Sequence, residues 1–550
     1  MFHPRRTFGR DLGRTSGRAP RRAVRALLLP LAAGLALAAL PAGTAQAAQA
    51  AQAAQAARAA QAASTLTNGG FETDGTGTAT PAGWSEYGAT DASYTEAGGH
   101  SGSYRLTHWS SSAYRAETYQ YLSGLSDGGY RLTAWVRSSG GQNAAYIALK
   151  NCGGAEQRTD LPVSASGWIR IVVPVKVTGN QCTISINSDA NAGNWINVDD
   201  LTFTTGTSGL PVKGADISSL AKSEARGGVY RTASGTAGDA LAVLRSAGMN
   251  YARLKVWVDP ADGYNDKARV LAMAKRVKAQ GMKLLVDFHY SDTWADPGAQ
   301  SKPAAWSGHG YSRLKTDVYD HTYGVLNALK AQGTTADMVQ VGNEINGGML
   351  WSEGSTDNWT QLAGLLNSGY DAVKAVNPST TVALHLAKGG DLAGTRWWFD
   401  SAVANGVKFD AIGLSYYGYW HGSLSDFQTT LDDAASRYGK PVFVAETAYP
   451  FRLDSEDGLE NIIDTSGELV AGYPASTAGQ TAWMNTVANI VEAVPNGRGL
   501  GVFYWEATWT AVAGNGWDPA DAGSGNGWEN QALFGYDDRA LPAMSWFGHR

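Results

Sequence analysis

Cysteine is nearly absent from this sequence: two residues in 550, Cys152 and Cys182. That excludes a cysteine-rich metal site, and the nine histidines show no spacing suited to zinc. No basic stripe or basic patch interleaved with aromatics is present, so the sequence offers nothing for nucleic acid, and the net charge of −5 is modest. Past the N-terminal region no apolar run is long enough to span a bilayer. No G-x-G-x-x-G follows the first strand of the long C-terminal region, which removes the usual dinucleotide fingerprint.

Aromatic residues, by contrast, are plentiful: 19 Trp and 24 Tyr, many beside Gly, Asn or Asp. Such side chains offer flat apolar faces with a polar handle, which suits sugar rings as well as cores. A length of 550 residues exceeds one core and implies two or more domains.

The N-terminus reads as an address. A basic stretch precedes "ALLLPLAAGLALAAL", and "PAGTAQA" ends in an A-x-A at Ala45–Ala47. This order predicts a secretory signal peptide over 1–47 and a secreted, extracellular protein. The Ala/Gln repeat at 48–63 reads as a low-complexity tether. In an exported chain, Cys152 and Cys182 are expected to form a disulfide.

Residues 64–204 show short runs of period-two alternation, such as "YRLTAWVRS", "WIRIVVPVKV" and "NWINVDDLTF". They predict an all-β antiparallel sandwich. The small, polar stretch at 205–211 is the expected linker. From 212 to 550 eight apolar β-rich runs alternate mostly with helical patterns, predicting an α/β domain of the (β/α)8 TIM barrel type.

In such barrels the C-terminal ends of the strands build the active site. The runs carry Arg253 and Lys255 on the second strand, and Asp287, His289 and Tyr290 on the third. Asn343 and Glu344 fall on the fourth, His385 on the fifth, Tyr416 and Tyr417 on the sixth, Glu446 on the seventh, Trp505 and Glu506 on the eighth. Each has an ordinary structural explanation, and for His385 and Lys255 that explanation is preferred. Strands four and seven face one another across the mouth, so Glu344 and Glu446 can share a cleft. Two carboxylates at about 5–5.5 Å form the machinery of retaining glycoside hydrolysis. Arg253 would keep the attacking carboxylate ionised. Asn343 is placed to bond a substrate 2-hydroxyl, Tyr416 to hold the nucleophile, and Trp505 to floor a sugar ring.

Longer motifs carry a resemblance. "KGADISSL", "GMNYARLKVWVDP", "LLVDFHYSDTWADPGAQSKPAAW", "VQVGNEINGGMLW" and "ENQALFGYDDRALPAM" resemble clan A glycoside hydrolase family 53 over about 212–545. The resemblance implies an endo-β-1,4-galactanase acting on type I arabinogalactan, with Glu344 as acid/base and Glu446 as nucleophile. Arg253, His289, Asn343, Tyr416 and Trp505 match its supporting cleft positions. It implies no cofactor for catalysis, but a structural calcium is possible: where some bacterial members have Asp-x-Asp-x-His-x-Asn, this chain has "SEDGLEN", leaving Asp454, Asp457, Asn461 and Glu529 as candidate ligands. Residues 64–204 resemble jelly-roll carbohydrate-binding modules, with Trp84, Tyr87, Trp109, Tyr114 and Arg115 as candidate contacts. The expected partner is a polysaccharide, with no nucleic acid or membrane, and the chain is expected to be a monomer. Another clan A endo-glycanase (mannanase, xylanase or endoglucanase), a non-catalytic glycan-binding barrel and a metal-dependent barrel hydrolase are the competing readings.

Overall fold

A computed structural model describes residues 65–207 and 209–549. The predicted signal peptide and the Ala/Gln tether lie outside the described residues.

The first region holds ten strands: β1 (Ser85–Gly88), β2 (Ser93–Ala97), β3 (Tyr104–Trp109), β4 (Tyr114–Ser123), β5 (Gly128–Ser138), β6 (Ala144–Lys150), β7 (Gln157–Asp160), β8 (Ser164–Val177), β9 (Gln181–Ala190) and β10 (Trp195–Thr205). They form two five-stranded sheets, β1-β4-β9-β6-β7 and β2-β3-β10-β5-β8, with every pairing antiparallel. Alternation sends Leu106, Leu132, Val136, Ile147, Ile186 and Val198 into one buried cluster. Cys152 and Cys182, 30 residues apart, are disulfide-bonded.

Two of the five candidate sugar contacts belong to this packing. Trp84 is buried against Phe71, and its indole nitrogen donates to the Asn68 carbonyl. Tyr114 is also buried, donating its hydroxyl to the carbonyls of His108 and Asn194. Both are core residues: Tyr114 shares the buried parity of β4 with Ala116 and Leu122, and Trp84 packs in just ahead of β1. Tyr87 and Trp109 remain exposed, and Arg115 is exposed in an ion pair with Asp189.

Eight parallel strands then close a barrel: β11 (Val212–Asp216), β12 (Tyr251–Val256), β13 (Lys283–Phe288), β14 (Met338–Val341), β15 (Thr381–Leu386), β16 (Ala411–Ser415), β17 (Val442–Thr447) and β18 (Gly499–Tyr504). Buried on both faces, they read as continuous apolar runs. Helices between them start on side-chain caps, for instance Asp266, Asp391 and Ser423, which accept backbone N–H groups the first turn would leave unpaired. The barrel floor is packed by Tyr251, Leu285, Met338, Phe443 and Phe503. Gly214 and Gly413 make that possible: a Cβ on either would stand 2.4 Å from Phe503 or 2.8 Å from Phe443.

The two regions meet along β8. The Arg170 guanidinium grips both oxygens of Asp432 at 2.9 and 2.8 Å and the Ala493 carbonyl at 2.7 Å. Gln428 and Asn489 each bond the β8 backbone.

Candidate active site

Above the apolar floor the barrel interior turns polar. Arg253, 1% exposed, rises from β12 at the centre of this layer. Its Nη1 donates to Asp216 at 2.7 Å, and its Nε to the Gln340 amide oxygen at 2.9 Å. Nη2 reaches Asp287 at 2.9 Å, Asn343 Oδ1 at 2.9 Å and Glu446 Oε1 at 2.8 Å. Burial works against the guanidinium charge, but Asp287, Glu446 and Asp216 outweigh it and raise its pKa.

Glu446 lies one residue before the end of β17, and its second oxygen accepts from the Tyr417 hydroxyl at 3.2 Å. Glu344 follows β14 in a left-handed backbone conformation, φ 45°, which a non-glycine residue holds only where its surroundings enforce it. Ser415 holds its Oε1 at 2.6 Å. Among the described residues, only Glu344, His385 and Glu446 bring three acidic or ligating side chains together, with their polar atoms within 4.8 Å of one another. The two carboxylates therefore face one cleft.

Their electrostatics differ. Burial raises the Glu344 pKa to about 7, against the opposing pull of Ser415 and Arg253. Burial also raises Glu446, and the Glu344 charge adds to this, while Arg253 opposes it. Two carboxyls this close share a proton. The guanidinium at 2.8 Å from Glu446 favours placing the pair's charge on Glu446.

The cleft over this pair has a volume of about 580 Å³ and is lined by both glutamates, Arg253, His289, Asn343 and Trp505. Asn343 donates to the Ala295 carbonyl at 2.8 Å. His289 accepts the N–H groups of Trp257 and Ala295 on Nδ1, which puts its proton on Nε2, facing Asp287 at 3.0 Å. Trp505 belongs to a wall of indoles: Trp528 lies 4.4 Å away, Trp509 5.9 Å and Trp294 6.0 Å, centroid to centroid.

Tyr416 does not join them. It stacks on Phe427 at 3.9 Å, bonds the Gly422 carbonyl and is fully buried behind the strand. The residue touching Glu446 is its neighbour Tyr417. Sequence reasoning had a signal for this: Gly413, Ser415 and Tyr417 share one parity of β16, and Tyr416 has the other. It also passed over Trp294, Trp509 and Trp528, whose loop positions carry no periodicity.

The calcium candidates divide. The Glu529 Oε2 and Asn461 Oδ1 atoms are buried and make no hydrogen bond. Orphaned oxygen acceptors are the kind of ligand a hard cation takes, while both oxygens of Asp457 on the same loop already accept the Leu459 and Asn526 N–H groups. Asp454 departs from the expectation, because its carboxylate is claimed by Arg452.

A barrel with paired carboxylates across its mouth and an indole-lined cleft defines a glycoside-hydrolase type of site. The sequence profile of glycosyl hydrolase family 53 matches residues 212–547, and the chain belongs to that family. It is a glycoside hydrolase. An endo-β-1,4-galactanase of Bacillus subtilis (strain 168) is 37% identical over 372 residues, covering 61% of this chain and 85% of that protein. The Ignisphaera aggregans GH53 catalytic domain superposes with a TM-score of 0.59 at 40% identity, covering 61% of this chain and 95% of that one. A fungal β-1,4-galactanase structure gives a TM-score of 0.55 at 34% identity, covering 62% and 99%.

Proposed function

We propose that the protein is a secreted endo-β-1,4-galactanase that cleaves internal bonds of galactan or type I arabinogalactan with retention of configuration. Glu446 attacks the anomeric carbon while Glu344 gives its proton to the departing 4-oxygen, leaving a galactosyl ester on Glu446. Glu344, now ionised, takes a proton from water as that water attacks the same carbon and frees Glu446. The observation that carries the reading is the pair itself: carboxylate oxygens within 4.8 Å, one held by a guanidinium and the other by a hydroxyl. Arg253 and Tyr417 keep the nucleophile charged and aimed. Asn343 is the candidate partner of the 2-hydroxyl, and the indole wall receives sugar rings.

The strand-rich region 64–204 would act as a carbohydrate-binding module holding the enzyme on insoluble polymer, which raises local concentration. Its remaining candidate contacts are Tyr87, Trp109 and Arg115, all exposed. Glu529, Asn461 and Asp457 would hold a structural calcium, tying the loop after β17 to the loop after β18 with no part in bond cleavage.

The test is hydrolysis of linear β-1,4-galactan, with mannan, xylan and cellulose alongside, by the wild type, Glu344→Ala and Glu446→Ala. Internal cleavage of galactan by the wild type alone supports substrate and pair together. Wild-type rates in both variants would contradict the mechanism, and activity only on another glycan would contradict the substrate.

A further inference from the structure

The three exposed candidate contacts of the strand-rich region do not lie together. Tyr87 and Arg115 are on β1 and β4 of one sheet, and Trp109 is on β3 of the other. Trp109 lines a groove of about 380 Å³, together with Tyr94, Arg137, Trp195 and Asn197. This groove is on the outer face of its sheet: Leu132, Ala134 and Val136 of β5 fill the core, so Arg137, of the other parity, points away from it.

Four side chains make a row across this face. The sheet register pairs Trp109 of β3 with Trp195 of β10. Arg137 of β5 lies 5.5 Å from the Trp195 ring centre and 5.5 Å from that of Trp168 on β8. Its Nη2 donates to the Ala165 carbonyl at 2.6 Å, which fixes the guanidinium between the two indoles. The strands β3, β10, β5 and β8 are consecutive in the sheet, and adjacent strands stand about 4.8 Å apart, so the row spans about 14 Å.

The neighbouring polar groups of the groove satisfy one another. Glu96 Oε1 accepts from Arg105 at 3.0 Å and from Thr107 at 2.7 Å, and Asn197 donates to Thr107 at 2.9 Å. The row itself offers flat indole surface and one guanidinium. That chemistry suits a neutral ring bearing hydroxyls, whereas a charged polymer calls for a run of unpaired charges.

The docking of β8 sets where the row begins. Gln428 bonds both the N–H and the carbonyl of Arg170, and Asn489 does the same for Val172. Gly167, next to Trp168, packs on Ser425, and a Cβ there would collide with the serine hydroxyl. Ser425 is in the first turn of the helix Leu424–Tyr438, and helices of such a barrel begin at the rim that carries the active site. The loop leading into this helix carries Tyr417, Trp420 and His421 to the catalytic cleft. The cleft residue Trp420 and the first member of the row are thus linked through one short connection, 420–425.

We propose that Trp168, Arg137, Trp195 and Trp109 form a galactan platform, fixed beside the active-site rim so that a chain held in the cleft continues onto it. The ligand rests on the galactanase reading above, and the platform uses neither Tyr87 nor Arg115. A chain long enough to reach both surfaces makes its second set of contacts intramolecularly, so affinity rises with length.

The full chain carries every test variant. In a Glu446→Ala background, where galactan stays uncut, affinity electrophoresis reads binding alone. Adding Trp109→Ala with Trp195→Ala should weaken binding to linear galactan about tenfold, and Trp109→Ala alone, at an exposed position, roughly threefold. Tyr87→Ala with Arg115→Ala should leave binding unchanged. Unchanged binding in the tryptophan variants, or loss confined to the Tyr87 and Arg115 pair, would overturn the platform. With Glu446 intact, kcat/KM should climb with galacto-oligosaccharide length in the wild type and level off earlier in the double tryptophan variant, while galactotetraose stays within about twofold. The same length dependence in both would overturn the continuation from cleft to platform. Failure of the galactanase reading is a separate result: the wild type would leave every galacto-oligosaccharide intact, and galactan as the ligand would fall with it.

Discussion

The Tyr417 hydroxyl meets Glu446 Oε2 at 3.2 Å, while the adjacent Tyr416 lies behind the strand against Phe427. Two neighbouring tyrosines thus sit on opposite sides of the barrel wall. Tyr417→Phe deletes one hydrogen bond to a charged group, a contact of about 1.5–3 kcal/mol, so kcat/KM should fall roughly 10- to 100-fold. Tyr416→Phe removes only a bond to the Gly422 carbonyl and should stay within about twofold, since the aromatic packing is kept. Steady-state kinetics on soluble galactan separate the two.

Under the proposed mechanism, the carboxyl of Glu344 should set the upper edge of the pH range. Its pKa is raised to about 7 by burial, and in the proposed mechanism the protonated form is the acid. Activity should therefore hold below that value and fall as pH rises through it. A kcat/KM profile checks the sign: Glu344→Gln should lose this limb along with the acid, leaving a flat, slow rate on substrates with good leaving groups.

Calcium should stabilise the loops around Asn461 and Glu529 without entering the chemistry. Their two orphaned oxygens predict a higher melting temperature on adding calcium and a lower one on chelation. Glu529→Gln should abolish that response. The early rate of galactan cleavage by chelated but still folded enzyme should stay close to wild type.

Arg170 holds the β-sheet region to the barrel through Asp432 and the Ala493 carbonyl. Burial moves the Asp432 carboxyl up to about 6, Arg170 opposing. Because the pair is mostly but not fully buried, Arg170→Ala should cost about 1–3 kcal/mol, less than a fully buried pair would. Calorimetry should show the first region melting ahead of the barrel.

Most of the barrel was legible because its signal is local. Eight apolar runs mark strands that are buried on both faces, and Glu344 and Glu446 stand where two such runs stop. Parity around Ser415 separates Tyr416 from Tyr417, but two adjacent tyrosines at a strand end look equivalent unless the strand is counted from its floor at Gly413. Trp294, Trp509 and Trp528 were not legible, since irregular loops bring them together. Trp84 and Tyr114 misled for the opposite reason: an aromatic in a short polar segment resembles a surface contact until neighbouring segments cover it.

The most direct test of the central claim is the configuration of the first product. Proton NMR of linear β-1,4-galactan mixed with a high concentration of enzyme reads the new reducing end before mutarotation. Carboxylates this close predict that the β-anomer appears first and the α-anomer grows in later. An α-anomer appearing first would mean a water attacks directly, and would contradict Glu446 as the nucleophile.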